Sequence, residues 1–255
     1  MRFGICIDVT HIHDAARVGF DYVEGKLNTI ALLGDDEFNR LVEDVLSSTI
    51  AMERCCLLLP KSMQIIGKHY DEKGMEAYLH TAFTRMQILG SNLVVFGSGK
   101  SRTFDCSLFW QEAFTQLVTV TKRIGEIAQT YGISVAIEPL NPNETNLINT
   151  MKEGAALQAA VGLKNVGLLA DAYHMRCVGE PWEVLSEVSP LMHTHIAVLE
   201  GRGYPTEASE EVIGFLRELK RSGYQASMSI EGKSDNWQTE GKKALTVLRS
   251  RWEEK

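Results

Sequence analysis

Four side chains that can hold a divalent cation stand at matching points of four apolar runs in the second half of the chain. Ile133-Ser134-Val135-Ala136-Ile137 leads into Glu138, and Val166-Gly167-Leu168-Leu169-Ala170 leads into Asp171. Met192-His193-Thr194-His195-Ile196 carries His195, and Met228-Ser229-Ile230 leads into Glu231. Three carboxylates and an imidazole on one rim would repel and would resist ionisation if left bare. A divalent cation removes that conflict. An oxygen-rich set with one nitrogen suits Mn²⁺, Mg²⁺ or Co²⁺, with Zn²⁺ also admissible, better than it suits the sulfur-rich sites of structural zinc. Such a cation is a Lewis acid for substrate oxygens. Each residue also has an ordinary explanation when taken singly. Glu138 and Glu231 fit solvated strand ends, Asp171 fits a helix N-cap, and His195 fits a satisfied core histidine. Their recurrence on consecutive strands favours a shared site. His193 has the same facing one layer deeper and reads as core.

Positioning these residues requires strands that end on one rim. Eight strand candidates run along the chain, Arg2–Asp8, Tyr22–Leu27, Ala51–Leu59, Asn92–Gly97, Ile133–Pro139, Val166–Asp171, Met192–Val198 and Gln225–Glu231. Pro139 pushes Glu138 towards extended geometry at the end of its strand. Alternation puts Ser134, Ala136 and Glu138 on one face and Val135 and Ile137 on the other. Between the strands lie helical stripes: Phe38, Leu41, Val42, Val45 and Leu46; Met75, Tyr78, Leu79, Ala82, Phe83 and Met86; Leu117, Val120, Ile124, Ile127 and Tyr131; Val212, Phe215, Leu216 and Leu219; Ala244, Leu245, Leu248 and Trp252. Gly90, Gly132 and Gly223 close three of these stripes just before a strand. Alternating β and α units imply a parallel sheet. Eight units in 255 residues predict a single (β/α)8 barrel domain over residues 1–255, with its active site in the loops after the strands.

The formal net charge of −7 argues against a nucleic-acid partner. No apolar run is long enough to span a membrane, and Met1 to Asp8 enters a strand without a signal-peptide pattern. The five cysteines, Cys6, Cys55, Cys56, Cys106 and Cys177, lack a CxxC spacing and read as free buried thiols in a reducing, cytoplasmic compartment. Adjacent Cys55 and Cys56 cannot both face inward, so at least one packs in the core. Gly97-Ser98-Gly99-Lys100-Ser101-Arg102 is no P-loop, although Lys100 and Arg102 are placed to meet a sugar phosphate. Glu24 ends the second strand and either orients the site or pairs with Lys26. His11 and His13 read as a surface loop. Trp110 and Trp237 are candidates for stacking on a sugar or for helix packing.

In this pattern the chain resembles the xylose isomerase-like TIM-barrel superfamily, most of all its ketose 3-epimerase branch. The resemblance covers essentially the whole chain. It implies metal ligation by Glu138, Asp171, His195 and Glu231, with Glu138 and Glu231 as the acid/base pair. It further implies that Glu144 (six residues after Glu138), His174 (three after Asp171) and Arg202 bind substrate hydroxyls. The implied reaction is sugar epimerisation or isomerisation by proton abstraction through a cis-enediolate, in a homo-oligomer acting on a small-molecule sugar. A hydroxypyruvate-type isomerase and an inosose-type dehydratase share these features, and a non-catalytic sugar-binding barrel is the reading from another class. The loop after the fourth strand, Phe96 to Arg102, departs from the aromatic-rich segment of the epimerases.

Overall fold

The computed structural model describes residues 1–105, 107–188 and 190–254. Eight strands, β1 (Arg2–Cys6), β2 (Tyr22–Lys26), β3 (Ala51–Cys56), β4 (Leu93–Phe96), β5 (Ser134–Ile137), β6 (Val166–Asp171), β7 (His193–Ile196) and β8 (Ser227–Ile230), pair in parallel and in sequence order. β8 pairs back onto β1, which closes the barrel. The expected strands are all present, but most are shorter than predicted at their C-terminal ends. There the chain peels away into the loops of the rim. Glu138 and Glu231 lie one residue beyond their strands, yet each keeps one ladder bond: the Glu138 amide donates to the Phe96 carbonyl at 3.2 Å and the Glu231 amide to the Ile196 carbonyl at 3.1 Å. Their backbones are therefore still fixed by the sheet.

Strand alternation splits the apolar residues into two cores. Val94, Val135, Ile137 and Leu168 join the large cluster beneath the helices. Cys56, Leu93, Val95, Ala136 and Leu169 form a small separate cluster on the opposite, inner face. Glu138 and Asp171 share the parity of Ala136 and Leu169, so they project inward at the top of that inner core. The helical stripes pack on the core as expected, with Val42, Tyr78, Tyr131 and Trp252 half-buried, and one residue stands out. In the helix Asp35–Ser47, Phe38, Leu41 and Val45 are buried but Leu46 is 73% exposed. Leu46 lies about 80° round the helix from Phe38, at the edge of the stripe and beyond its last contact. Gly90, Gly132 and Gly223 take positive φ, 79°, 68° and 77°, at the ends of their helices.

The thiols depart from expectation. Cys55 and Cys56 are buried on opposite faces of β3, but Cys6 is partly exposed and Cys177 is exposed. Cys106 lies outside the described residues. Trp110 and Trp237 begin the helices Trp110–Thr130 and Trp237–Glu253. Trp110 stacks on Phe114, and Trp237 lies against His11. Neither these tryptophans nor His11 and His13 line the cavity described below.

The phosphate reading of Arg102 is overturned. Its side chain is fully buried, and its guanidinium donates to the carbonyls of Glu138 (2.8 Å), Phe96 (3.2 Å) and Ile148 (3.4 Å). These carbonyls belong to the ends of β4 and β5 and to the loop after β5. Burial pulls the Arg102 pKa down to about 10, opposed by the charges of Glu138, Glu144 and Glu153. Arg102→Met is expected to lower stability by about 3 kcal/mol or more, since it strands buried carbonyls costing roughly 1–3 kcal/mol each. Lysine is not expected to restore it, because an ammonium lacks the planar fork. Denaturant unfolding of both variants checks this; a loss below about 1 kcal/mol contradicts it.

Candidate active site

Parallel register brings the ends of β5 to β8 to one level. Asp171 on β6 pairs with His195 on β7, and His195 pairs with Ser229 on β8. His195 Nδ1 lies 3.3 Å from Glu138 Oε1, 3.5 Å from Glu231 Oε2 and 3.8 Å from Asp171 Oδ2. One donor atom from each of the four residues lies within 4.8 Å of all the others. The helix N-cap expected of Asp171 is present. Its Oδ1 caps the helix Ala172–Cys177 by accepting the His174 amide at 3.0 Å. Its Oδ2 is buried and has no hydrogen-bond partner. An orphaned carboxylate oxygen aimed at two other carboxylates and an imidazole is costly alone, and it fits a divalent cation.

Glu24 is the residue that the sequence left undecided. Fully buried, it accepts hydrogen bonds from His195 Nε2 at 3.0 Å, His193 Nε2 at 2.9 Å and Ser229 Oγ at 2.6 Å. Fixing the proton of His195 on Nε2 turns the Nδ1 lone pair towards the cluster, the orienting role of a carboxylate behind a ligand histidine. Lys26 is exposed and is not its partner. The one available signal was parity, which puts Glu24 on the inner face of β2 with Tyr22. His193 is core as expected, but as the other half of this buried network.

The three expected substrate residues surround the same space. Glu138, Glu144, His174, Arg202 and Glu231 line one cavity of about 290 Å³, with Leu57, Leu59 and Leu140 as an apolar wall. Arg202 bonds Glu231 Oε2 through Nη2 at 2.5 Å and Glu144 Oε1 through Nη1 at 3.4 Å, and it packs over the Tyr173 ring. Asn141, which sequence reasoning noted only as part of a polar loop, donates its backbone N–H to His174 Nδ1 at 3.1 Å. The His174 proton is thereby placed on Nε2, a buried atom without a hydrogen-bond partner that stands 4.0 Å from Glu144 Oε1. Lys100 also borders the cavity and is exposed. Among the described residues, four non-glycines have positive φ, and Leu57 (55°), Ser98 (44°) and Arg202 (54°) of these line the cavity. Backbone strain of this kind collects at sites that need exact placement of side chains.

The two rim glutamates are pushed in opposite directions. Burial raises the Glu138 carboxyl, only partly offset by its hydrogen bond with His195. Burial acts on Glu231 too, but the His195 and Arg202 charges outweigh it and hold Glu231 at about 2. Paired carboxyls set apart in this way suit opposite proton-transfer roles. For His195, burial favours the neutral ring, but Glu24, Glu231 and Glu138 outweigh it and raise its pKa well above 6.5. A bound cation must displace that proton, so affinity falls as pH falls. Cation binding at neutral pH is expected to release roughly one proton per ion. Calorimetry in buffers of different ionisation enthalpy measures this, and a buffer-independent enthalpy contradicts it.

Gly97 follows β4 directly beneath Glu138. A Cβ there would stand 2.3 Å from Glu138 Oε2. Gly97→Ala is therefore expected to displace the carboxylate and weaken divalent-cation binding at least tenfold or so, with little change in the thermal unfolding midpoint. Unchanged affinity in a Mn²⁺ titration contradicts it.

With this geometry in place, known proteins supply a context. The model of the xylose isomerase-like TIM-barrel family matches residues 12–251, and the chain belongs to that family. The chain is 28% identical over 231 residues to an L-ribulose 3-epimerase of Methylomonas sp. (strain DH-1), covering 86% of this chain and 76% of the relative. Its fold is similar to that of D-psicose 3-epimerase from Clostridium cellulolyticum H10, solved with D-tagatose, with TM-score 0.84, 18% identity and coverage of 99% and 100% of the two chains. It is also similar to that of an IOLI protein carrying a zinc atom, with TM-score 0.73, 18% identity and coverage of 98% and 96%.

Proposed function

We propose that the chain is a divalent-metal-dependent sugar isomerase of the ketose 3-epimerase type. The observation that carries this reading is the orphaned Asp171 Oδ2 among Glu138, His195 and Glu231, two of which, Glu138 and Glu231, also line a cavity with Glu144, His174 and Arg202. Glu138, Asp171, His195 and Glu231 would hold the cation. When bound, it supplies Lewis acidity to neighbouring substrate oxygens.

The protein's own groups supply the proton transfers. Glu231, kept ionised beside Arg202, removes the carbon-bound proton next to the ketone and leaves a planar cis-enediolate. Glu138, from the other side of the rim, returns a proton to the opposite face, and the roles exchange in the reverse direction. His174, with its Nε2–H held towards the cavity, donates to a substrate oxygen. Glu144 and Arg202 bracket the hydroxyls beyond it. Leu57, Leu59 and Leu140 limit the water that reaches the reacting carbon. A non-catalytic sugar-binding barrel would have no use for two carboxyls whose proton affinities are pushed in opposite directions. The reading extends to one barrel domain over residues 1–255, to manganese, magnesium or cobalt as the working ion, and to a cytoplasmic homo-oligomer. Among the described residues, no helix is long and apolar enough to cross a membrane.

Incubation with free and phosphorylated ketoses in D₂O with Mn²⁺, followed by NMR, tests the reading. Deuterium at C3 together with the C3 epimer is expected. An aldose product would instead favour an aldose–ketose isomerase, and loss of water would favour a dehydratase. Absence of carbon-bound exchange with every ketose would overturn the proposal.

A further inference from the structure

The inner core meets the catalytic rim at two thiols that the proposed chemistry does not use. Cys6 ends β1, Cys56 ends β3 and Glu231 follows β8, so three separate strands converge here. Cys6 Sγ, Cys56 Sγ and a Glu231 carboxylate oxygen all lie within 4.8 Å of one another. Cys6 also belongs to a group with Glu24 and His195. Those two are already committed to each other at 3.0 Å, and Cys6 Sγ stands 3.9 Å from His195 Nε2. The sulfur pair is thus left facing Glu231. Cys56 is buried while Cys6 is partly exposed, so the pair is sealed on the core side and open on one edge.

We propose that Cys6, Cys56 and Glu231 form a second, softer cation site that shares Glu231 with the four-donor cluster. Two sulfurs and one carboxylate oxygen select a thiophilic d¹⁰ ion such as Zn²⁺ or Cd²⁺, whereas the adjacent set of three oxygens and one nitrogen selects Mn²⁺ or Mg²⁺. The three donor atoms, all within 4.8 Å of one another, reach the shorter S···O and S···S spans of a tetrahedral site by small side-chain rotations. An ion with high affinity for sulfur displaces the thiol protons on binding. Hard cations do not. The consequence for the enzyme is inhibition by soft ions: occupation of this site draws Glu231 away from the substrate carbon without emptying the four-donor site. The inference uses the proposed catalytic site only through Glu231.

The test begins with protein carrying one Mn²⁺, followed by electron paramagnetic resonance, into which Cd²⁺ is titrated while the ultraviolet thiolate-to-cadmium charge-transfer band is recorded. The expected result is a band that saturates at one Cd²⁺ per chain while Mn²⁺ stays bound. Cys6→Ser and Cys56→Ser should each weaken Cd²⁺ binding at least tenfold or so and, in the double variant, abolish the band. Cadmium NMR of the unmodified protein reports sulfur ligation directly and keeps the test decisive if the serine variants fold poorly. Three results overturn the proposal: absence of the band, its survival in the double serine variant, or one-for-one displacement of Mn²⁺ by Cd²⁺. Failure of Mn²⁺ to bind at all would instead count against the four-donor cluster, so the two readings fail separately.

Discussion

Glu231→Gln is expected to lower epimerisation turnover by about 10²–10⁴-fold, with the fold and substrate affinity largely kept. Glutamine has the same shape, can still accept the hydrogen bond from Arg202, and removes only the ability to take a proton. Glu138→Gln is expected to cost a similar factor for a different reason. Its amide can still lie beside His195, but it cannot deliver a proton to the second face. The two variants should differ in isotope exchange. Each is expected to retain slow solvent exchange with the one epimer whose proton faces the surviving glutamate, and to lose interconversion. Single-turnover assays in D₂O with both epimers separate the cases. Near wild-type epimerisation by either variant would remove that glutamate from the mechanism.

Glu24→Ala carries the other large effect, and here the loss is of positioning as well as stability. Glu24 lies behind His195 and does not reach the cavity, so it is a positioning residue. Removing it leaves His193, His195 and Ser229 without their buried acceptor, and breaking a buried charged pair costs about 3–5 kcal/mol. His195 also loses the bond that fixes its tautomer, for which a further 10–100-fold fall in cation affinity is typical. Glu24→Gln should restore most of the stability and less of the affinity, a split that a merely structural role would not produce. Burial opposes the Glu24 charge, but His195 and His193 outweigh it and hold its pKa well below 4.5. A depressed carboxyl contributes fully above its unfolded value of 4.5, and that contribution is lost as pH falls through the folded value. Glu24→Gln should therefore flatten the acid side of the stability curve. Equal acid sensitivity in wild type and variant contradicts this.

How much of this was legible in the sequence follows from what each feature depends on. Glu138, Asp171, His195 and Glu231 were readable because each sits at the end of an apolar run, and strand parity alone points them inward. Glu144, His174 and Arg202 were reachable through the family resemblance, since their offsets from the strand ends are short. Glu24 was seen but not assigned, because its role depends on the barrel bringing β2 and β7 within reach across the interior. No local pattern encodes that distance. The same holds for Cys6 and Cys56, which converge only because β1, β3 and β8 end at one level. Arg102 misled because a basic residue in a glycine-rich loop resembles an anion site. Its partners are the Phe96 carbonyl at the end of the preceding strand and the distant carbonyls of Glu138 and Ile148, and those determine its burial. Leu46 shows the limit of periodicity: the helical stripe was correct, but no neighbour reaches its edge.

The central claim is that four side chains far apart in sequence share one ion. Anomalous diffraction at the manganese edge, on crystals grown with Mn²⁺, tests this most directly. The account predicts one strong peak within about 2.0–2.3 Å of Glu138, Asp171 Oδ2, His195 Nδ1 and Glu231. A peak elsewhere, or none at these residues under conditions where the protein is active, would contradict it.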